Sequence, residues 1–102
     1  MAKRIIWTKT AKDARRKILE FWIEHNKSKT YSQKLSTQFR ERAMYLSEYN
    51  YIGKPTDFKD VRVTIMGHFS IFYKVAPDEI IIVGLWDNRR NPDDLRKNLE
   101  IF

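Results

Sequence analysis

The chain has 102 residues, 42% hydrophobic and 14% aromatic, which fits a single domain over residues 1–102 with its own core and excludes a disordered chain. Twenty Lys and Arg against 13 Asp and Glu give a formal charge of +7, a basicity that suits an acidic or polyanionic partner. With no cysteine, disulfides, thiolate nucleophiles and Cys-type zinc sites are excluded, and a reducing cytoplasm is the expected location.

In chain order, Lys3-Arg4-Ile5-Ile6-Trp7-Thr8 predicts a short strand. Its apolar part is too brief for a signal-peptide core. Thr10 with Asp13 has capping-box spacing, and Ala11, Ala14, Ile18, Phe21 and Trp22 recur on one side of a helix running from Ala11 to about Asn26. Lys12, Arg15, Arg16 and Lys17 crowd its outer face, which by itself reads as a solvated charge run. After the polar break Asn26-Lys27-Ser28-Lys29, Thr30 and Gln33 repeat the capping spacing, and Leu35, Phe39, Ala43 and Leu46 mark the buried side of a second helix. So short a connection predicts an antiparallel helical hairpin.

From Ser47 to Asp57 the pattern dissolves into a loop with Gly53 and Pro55. Then the period changes. Val61, Val63 and Ile65 alternate with polar residues, Gly67 turns the chain, Phe69, Ile71, Tyr73 and Val75 alternate again, and Ala76-Pro77-Asp78 turns it once more. Ile80 to Trp86 is an apolar run suited to a central strand and too short to cross a bilayer as a helix, so no membrane role is expected. Pro92 suits the start of a short final helix through about Leu99. These elements predict an α+β fold: an N-terminal strand and a two-helix hairpin packed on an antiparallel β-meander, closed by a short C-terminal helix.

The charge excess is confined to the helical half. Residues 1–51 carry 12 basic and 5 acidic side chains, whereas residues 52–102 carry 8 of each. No glycine-rich phosphate cradle, nucleophile elbow or metal-ligand spacing is present, and no cofactor is expected. What remains is a set of cations and hydroxyls on the meander side: Lys54, Lys59, Arg62, His68, Tyr73, Arg89 and Arg90. Metal-free RNA cleavage needs a base, an acid and cations for the phosphate. Arg62 and Arg89 would supply cations and His68 the group titrating near neutrality, with Lys54, Lys59 and Arg90 as phosphate or target contacts. The plainer reading of each stands beside it. Arg62, flanked by Val61 and Val63, points off the core face and pairs with Asp57 or Asp60, His68 is an exposed turn residue, and Tyr73 is a core aromatic with its hydroxyl at the rim. Trp7, Trp22 and Trp86 read as packing residues.

Several segments carry a family resemblance: Ile6-Trp7-Thr8 with Ala11 and Ala14, the hairpin ending in Leu46, the loop Ile52-Gly53-Lys54-Pro55-Thr56-Asp57-Phe58, Val61-Arg62-Val63, Phe69 to Val75, and Leu85-Trp86-Asp87-Asn88-Arg89-Arg90-Asn91-Pro92. In this order they resemble toxins of the RelE/ParE superfamily, the poison half of type II toxin–antitoxin modules, over nearly the whole chain. The resemblance implies growth arrest, a role in plasmid stabilization and neutralisation by a cognate antitoxin. It implies one of two activities, cleavage of mRNA on the translating ribosome or inhibition of DNA gyrase. The ribonuclease pattern would put phosphate-binding arginines at Arg62 and at Arg89 or Arg90, with Lys54 or Lys59 in support. Two positions depart from it: Ser70 stands where those members often carry Arg, and the region of Asp94-Leu95 lacks their Tyr or His. Cleavage would then depend on His68 or Tyr73, so gyrase inhibition without catalysis is the expectation, with the mRNA interferase and a non-toxic binding module as alternatives.

Overall fold

The computed structural model describes residues 2–89. Strand β1 (Arg4–Trp7) leads into helix α1 (Lys9–Asn26), a short turn reverses the chain into α2 (Thr30–Glu48), and β2 (Lys54–Pro55), β3 (Arg62–Met66), β4 (Phe69–Val75) and β5 (Glu79–Asp87) follow. The helix expected after Pro92 lies outside the described residues.

Both helix starts differ in detail from the spacing argument. The Thr8 hydroxyl accepts the Ala11 N–H at 3.1 Å, so α1 begins two residues early and Thr10 already lies in its first turn. Thr30 is likewise the first residue of α2, and its N–H donates to the Ser28 hydroxyl at 3.2 Å. Between the helices Lys27 adopts a left-handed φ of 53°, the conformation that commonly ends a helix. The Ser32 hydroxyl then donates to the Leu19 carbonyl at 3.0 Å, and Trp22 meets Tyr31 edge-on at 5.0 Å.

Leu35, Phe39, Ala43 and Leu46 are all buried, as their spacing requires. Phe21 is not. Expected on the buried side of α1, it is 55% exposed, because α2 packs along the flank that carries Leu19 and leaves the opposite flank uncovered.

The five strands form one sheet in the order β1-β5-β4-β3-β2. The meander β3-β4-β5 is antiparallel, while β1 joins its open side parallel to β5, with Ile5 opposite Ile80 and Trp7 opposite Ile82. Within the segment read as a loop, β2 adds two residues antiparallel to β3. Pro55 is tolerated there because an edge strand needs no outward N–H donor.

A bulge between β4 and β5 gives the sheet two apolar faces. Phe72 lies opposite Gly84 but Tyr73 lies opposite Ile82, so Val83 is an extra residue and the alternation of β5 changes parity across it. Ile80, Ile82 and Leu85 therefore face the helices with Phe69, Ile71 and Tyr73. Val83 and Trp86 face the other way, with Phe72 and Val61. The larger cluster lies between hairpin and sheet, where Phe39 meets Phe69 edge-on at 5.4 Å. Phe39→Ala should accordingly lower unfolding stability by about 3–5 kcal/mol, measured by chemical denaturation, while Ile65→Ala, at a side chain 57% exposed, should change it by under about 0.5 kcal/mol.

Candidate functional site

The candidate residues fall at two opposite ends of the sheet. At one end lie Lys54, Lys59 and Arg62. Arg62 opposes Tyr73 across the β3–β4 ladder and so occupies the helix-side face. The expectation that it points off the core face fails because its neighbours Val61 and Val63 belong to the second apolar cluster on the reverse of the sheet. Its guanidinium does not pair with Asp57 or Asp60. It donates to the Gly53 carbonyl at 2.7 Å and lies 4.9 Å from the centre of the Tyr51 ring.

That contact belongs to a wider tie. The Tyr73 hydroxyl is buried, not at the rim, where it accepts the Gly53 N–H at 2.9 Å and donates to the Asn50 carbonyl at 2.9 Å. The Asn50 side-chain amide in turn donates to the carbonyls of Leu46 and Ser47, which closes the C-terminus of α2. Gly53 is required by proximity: a Cβ built there would lie 2.6 Å from the Tyr73 oxygen. Burial raises the Tyr73 pKa above its ordinary 10.0, opposed only in part by the Gly53 N–H and the nearby Arg62 charge. Lys54 and Lys59 are exposed beside this tie. An open cleft of about 670 Å³ there mixes signs, with Lys59, Arg62 and Lys74 facing Asp57 and Asp60.

At the other end lie His68 and Arg89. His68 is exposed in the β3–β4 turn, where Gly67 takes a φ of 60°, and its carbonyl accepts the Asn88 N–H at 2.7 Å. Arg89 grips Asp87 with two guanidinium hydrogen bonds of 2.7 and 2.6 Å, while the Arg89 N–H donates to the same carboxylate at 3.0 Å. The guanidinium also lies 4.7 Å from the Trp22 ring centre and 5.7 Å from that of Phe69. Burial would raise the Asp87 carboxyl, but the hydrogen bonds and charge of Arg89, with His68 beyond, outweigh it and hold the group below its usual range. Beside Arg89 a cleft of about 860 Å³ opens between α1 and the end of β5, floored by Ile18, Phe21, Trp22 and Leu85. Arg90, Asp94 and Leu95 lie outside the described residues.

The two ends do not meet. From Arg62 to Met66, β3 alone spans about 13 Å at the usual strand rise, and His68 lies beyond its far end. Both arginines are engaged within the fold, Arg62 with a backbone carbonyl and Arg89 with a carboxylate. Among the described residues no group of His, Asp and Glu is placed to hold a metal ion, and no helix is long and apolar enough to cross a membrane. Sequence reasoning missed the Tyr73 tie and the Asp87–Arg89 pair. The second had a local signal, because an Asp two residues before a turn residue commonly accepts its N–H.

A family model described as ParE toxin of type II toxin–antitoxin system, parDE, matches residues 5–92. Among solved structures, one chain of the chromosomal ParDE toxin–antitoxin system from P. aeruginosa superimposes with a TM-score of 0.72 at 19% identity, over 82% of this chain and 94% of that one. A chain of the toxin–antitoxin complex RelBE2 from Mycobacterium tuberculosis gives a TM-score of 0.64 at 15% identity, over 83% of this chain and 96% of that one. At these identities the likeness is one of fold. No curated protein matches the sequence significantly.

Tyr73→Phe should leave the buried Gly53 N–H without its acceptor and the Asn50 carbonyl without its donor, at a cost of about 1–3 kcal/mol. Because the folded pKa is raised, the stabilisation is complete below pH 10.0 and is lost as pH rises through the folded value. Denaturation curves should therefore show stability falling on the alkaline side in the wild type and a flatter alkaline limb in Tyr73→Phe.

Proposed function

Since this chain belongs to the ParE toxin family of type II toxin–antitoxin systems, we propose that it arrests growth by binding DNA gyrase without catalysis, in the cytoplasm, and is held inactive by a cognate antitoxin. One observation carries this choice of target mechanism. RNA cleavage needs a base, an acid and unpaired cations around one phosphate, whereas Arg62 and His68 lie at opposite ends of β3 and Arg62 and Arg89 are already engaged. A binding mode needs only surface. The helical hairpin offers it, with Met44 and Tyr45 exposed on α2, Tyr49 exposed at its C-cap, and the charge excess of the chain on residues 1–51. Lys54 and Lys59, both exposed, and Arg90 are further candidate target contacts. The toxin–antitoxin complexes that share the fold support an antitoxin partner.

The alternative is ribosome-dependent cleavage of mRNA, in which Arg62, His68 and Arg89 would serve as the reacting set. Induced expression separates the two. Growth arrest should come with inhibited supercoiling by purified gyrase and intact mRNA on primer extension. Cleavage within codons, abolished in Arg62→Ala and Arg89→Ala variants that melt like the wild type, would overturn the gyrase reading. Unaffected growth would remove the toxin reading altogether.

A further inference from the structure

The C-terminal end of α2 departs from the basic character of the helical half. From Glu41 to Ile52 the charged residues are Glu41, Arg42 and Glu48, so this stretch is slightly acidic. It is also where apolar surface is left bare: Met44, Tyr45, Tyr49, Tyr51 and Ile52 are each at least 43% exposed. The Tyr45 and Tyr49 rings lie one turn apart with their centres 4.7 Å from each other. The Ile52 N–H then turns back to the Tyr49 carbonyl at 3.4 Å, which keeps Tyr51 and Ile52 at the same end of the molecule. Aromatic surface gathered in this way marks an interface.

The polar groups of this face are placed symmetrically about Tyr45. Arg42 stands three residues before it and Glu48 three after, while Glu41 and Tyr49 stand four before and four after. Six residues of helix separate Arg42 from Glu48 by about 9 Å along the axis, too far for the two to pair within one chain. Among the described residues neither forms an ion pair. The Arg42 guanidinium lies 5.8 Å from the centre of the Tyr45 ring, on the side of the helix that the tyrosine occupies. Two copies of α2 laid antiparallel across a two-fold axis at Tyr45 bring each residue against the one equally far on the other side. Tyr45 then meets its own copy, Arg42 meets Glu48 twice over, and each Glu41 carboxylate faces a Tyr49 hydroxyl. A two-fold interface uses one patch against itself, so it needs this inverted order of charge.

We propose that the free chain forms a homodimer through this face, with the two α2 helices antiparallel and centred on Tyr45. A nucleic acid or a strongly acidic protein would meet two carboxylates here, whereas a second copy satisfies both carboxylates and the arginine. The net charge of +7 opposes association at a distance, but at physiological ionic strength such repulsion is screened beyond about 8 Å. Met44, Tyr45 and Tyr49 also belong to the surface assigned above to the target. The dimer stands without that reading; only its consequence rests on it, namely that one copy must leave before this face of the hairpin meets gyrase.

The test is sedimentation equilibrium of the whole chain over a range of concentrations, with neither antitoxin nor gyrase present, so its outcome is separate from that of the gyrase reading. The wild type should show a mass rising toward twice that of one chain. Arg42→Glu and Glu48→Arg each set like charges together at both symmetry-related contacts, and each should weaken association about tenfold or more. An equimolar mixture of the two variants restores opposite charges at both contacts and should associate as the wild type does. Glu24→Arg, the same change of charge at an exposed position on α1, should leave association unaltered. Glu48 is exposed and Arg42 half-buried, so Glu48→Arg set against Glu24→Arg decides the matter even where Arg42→Glu melts early. A wild type that stays monomeric would overturn the proposal and leave the face to a different protein. Association indifferent to Glu48→Arg, equal weakening by Glu24→Arg, or a mixture of two folded variants that stays apart would each overturn it as well.

Discussion

The Tyr73 hydroxyl is the point on which the helical layer and the far side of the sheet are joined. One oxygen accepts from Gly53 and donates to Asn50, and Asn50 closes the last turn of α2. The carbonyl of the same glycine receives Arg62. In a low-dielectric interior such hydrogen bonds reinforce one another, and each becomes costly to leave unmade. The connection from α2 to the sheet thus has a defined course, although it is only a few residues long and mostly exposed. Gly53 is the residue that lets backbone and ring approach so closely, which explains its place in a loop whose other side chains, Tyr51 and Ile52, face solvent.

The order of elements, the antiparallel meander and the buried line from Leu35 to Leu46 were legible because each rests on a single uninterrupted period. The position of Arg62 was not. Alternation identifies two faces but does not say which one meets the helices, and here both are apolar: Val61 and Val63 serve the reverse cluster while Arg62 shares a face with Tyr73. The bulge at Val83 was hidden within a continuous apolar run, where a change of parity leaves no trace in composition. β2 was invisible for another reason, since two residues containing a proline carry no periodic signal at all. The candidate site was legible only as a list of cations. Their separation is set by register, and the pairing of Arg89 with Asp87 depends on a turn geometry that sequence suggests without fixing.

Charge and site therefore diverge in this molecule. Of the cations assigned to the expected reaction chemistry, Arg62 and Arg89 are tied to a carbonyl and a carboxylate within the fold, whereas Lys12, Arg15 and Arg40 line a groove whose floor includes Ile5, Trp7, Leu19 and Ile23. A net charge of +7 acts at long range and favours encounter with any anion, but what is held after encounter depends on the surface the charges frame.

The parallel pairing of β1 with β5 also bears on how the protein is made. Arg4 meets Glu79, so the first strand synthesised must wait for nearly the last. β5, which lies between β1 and β4, completes both ladders only after residue 87 has left the ribosome. Contacts of such large sequence separation form late and slowly. The chain is thereby kept without its finished sheet for almost the whole of its own translation, and the pairing of β1 comes into being in the same event that completes the fold.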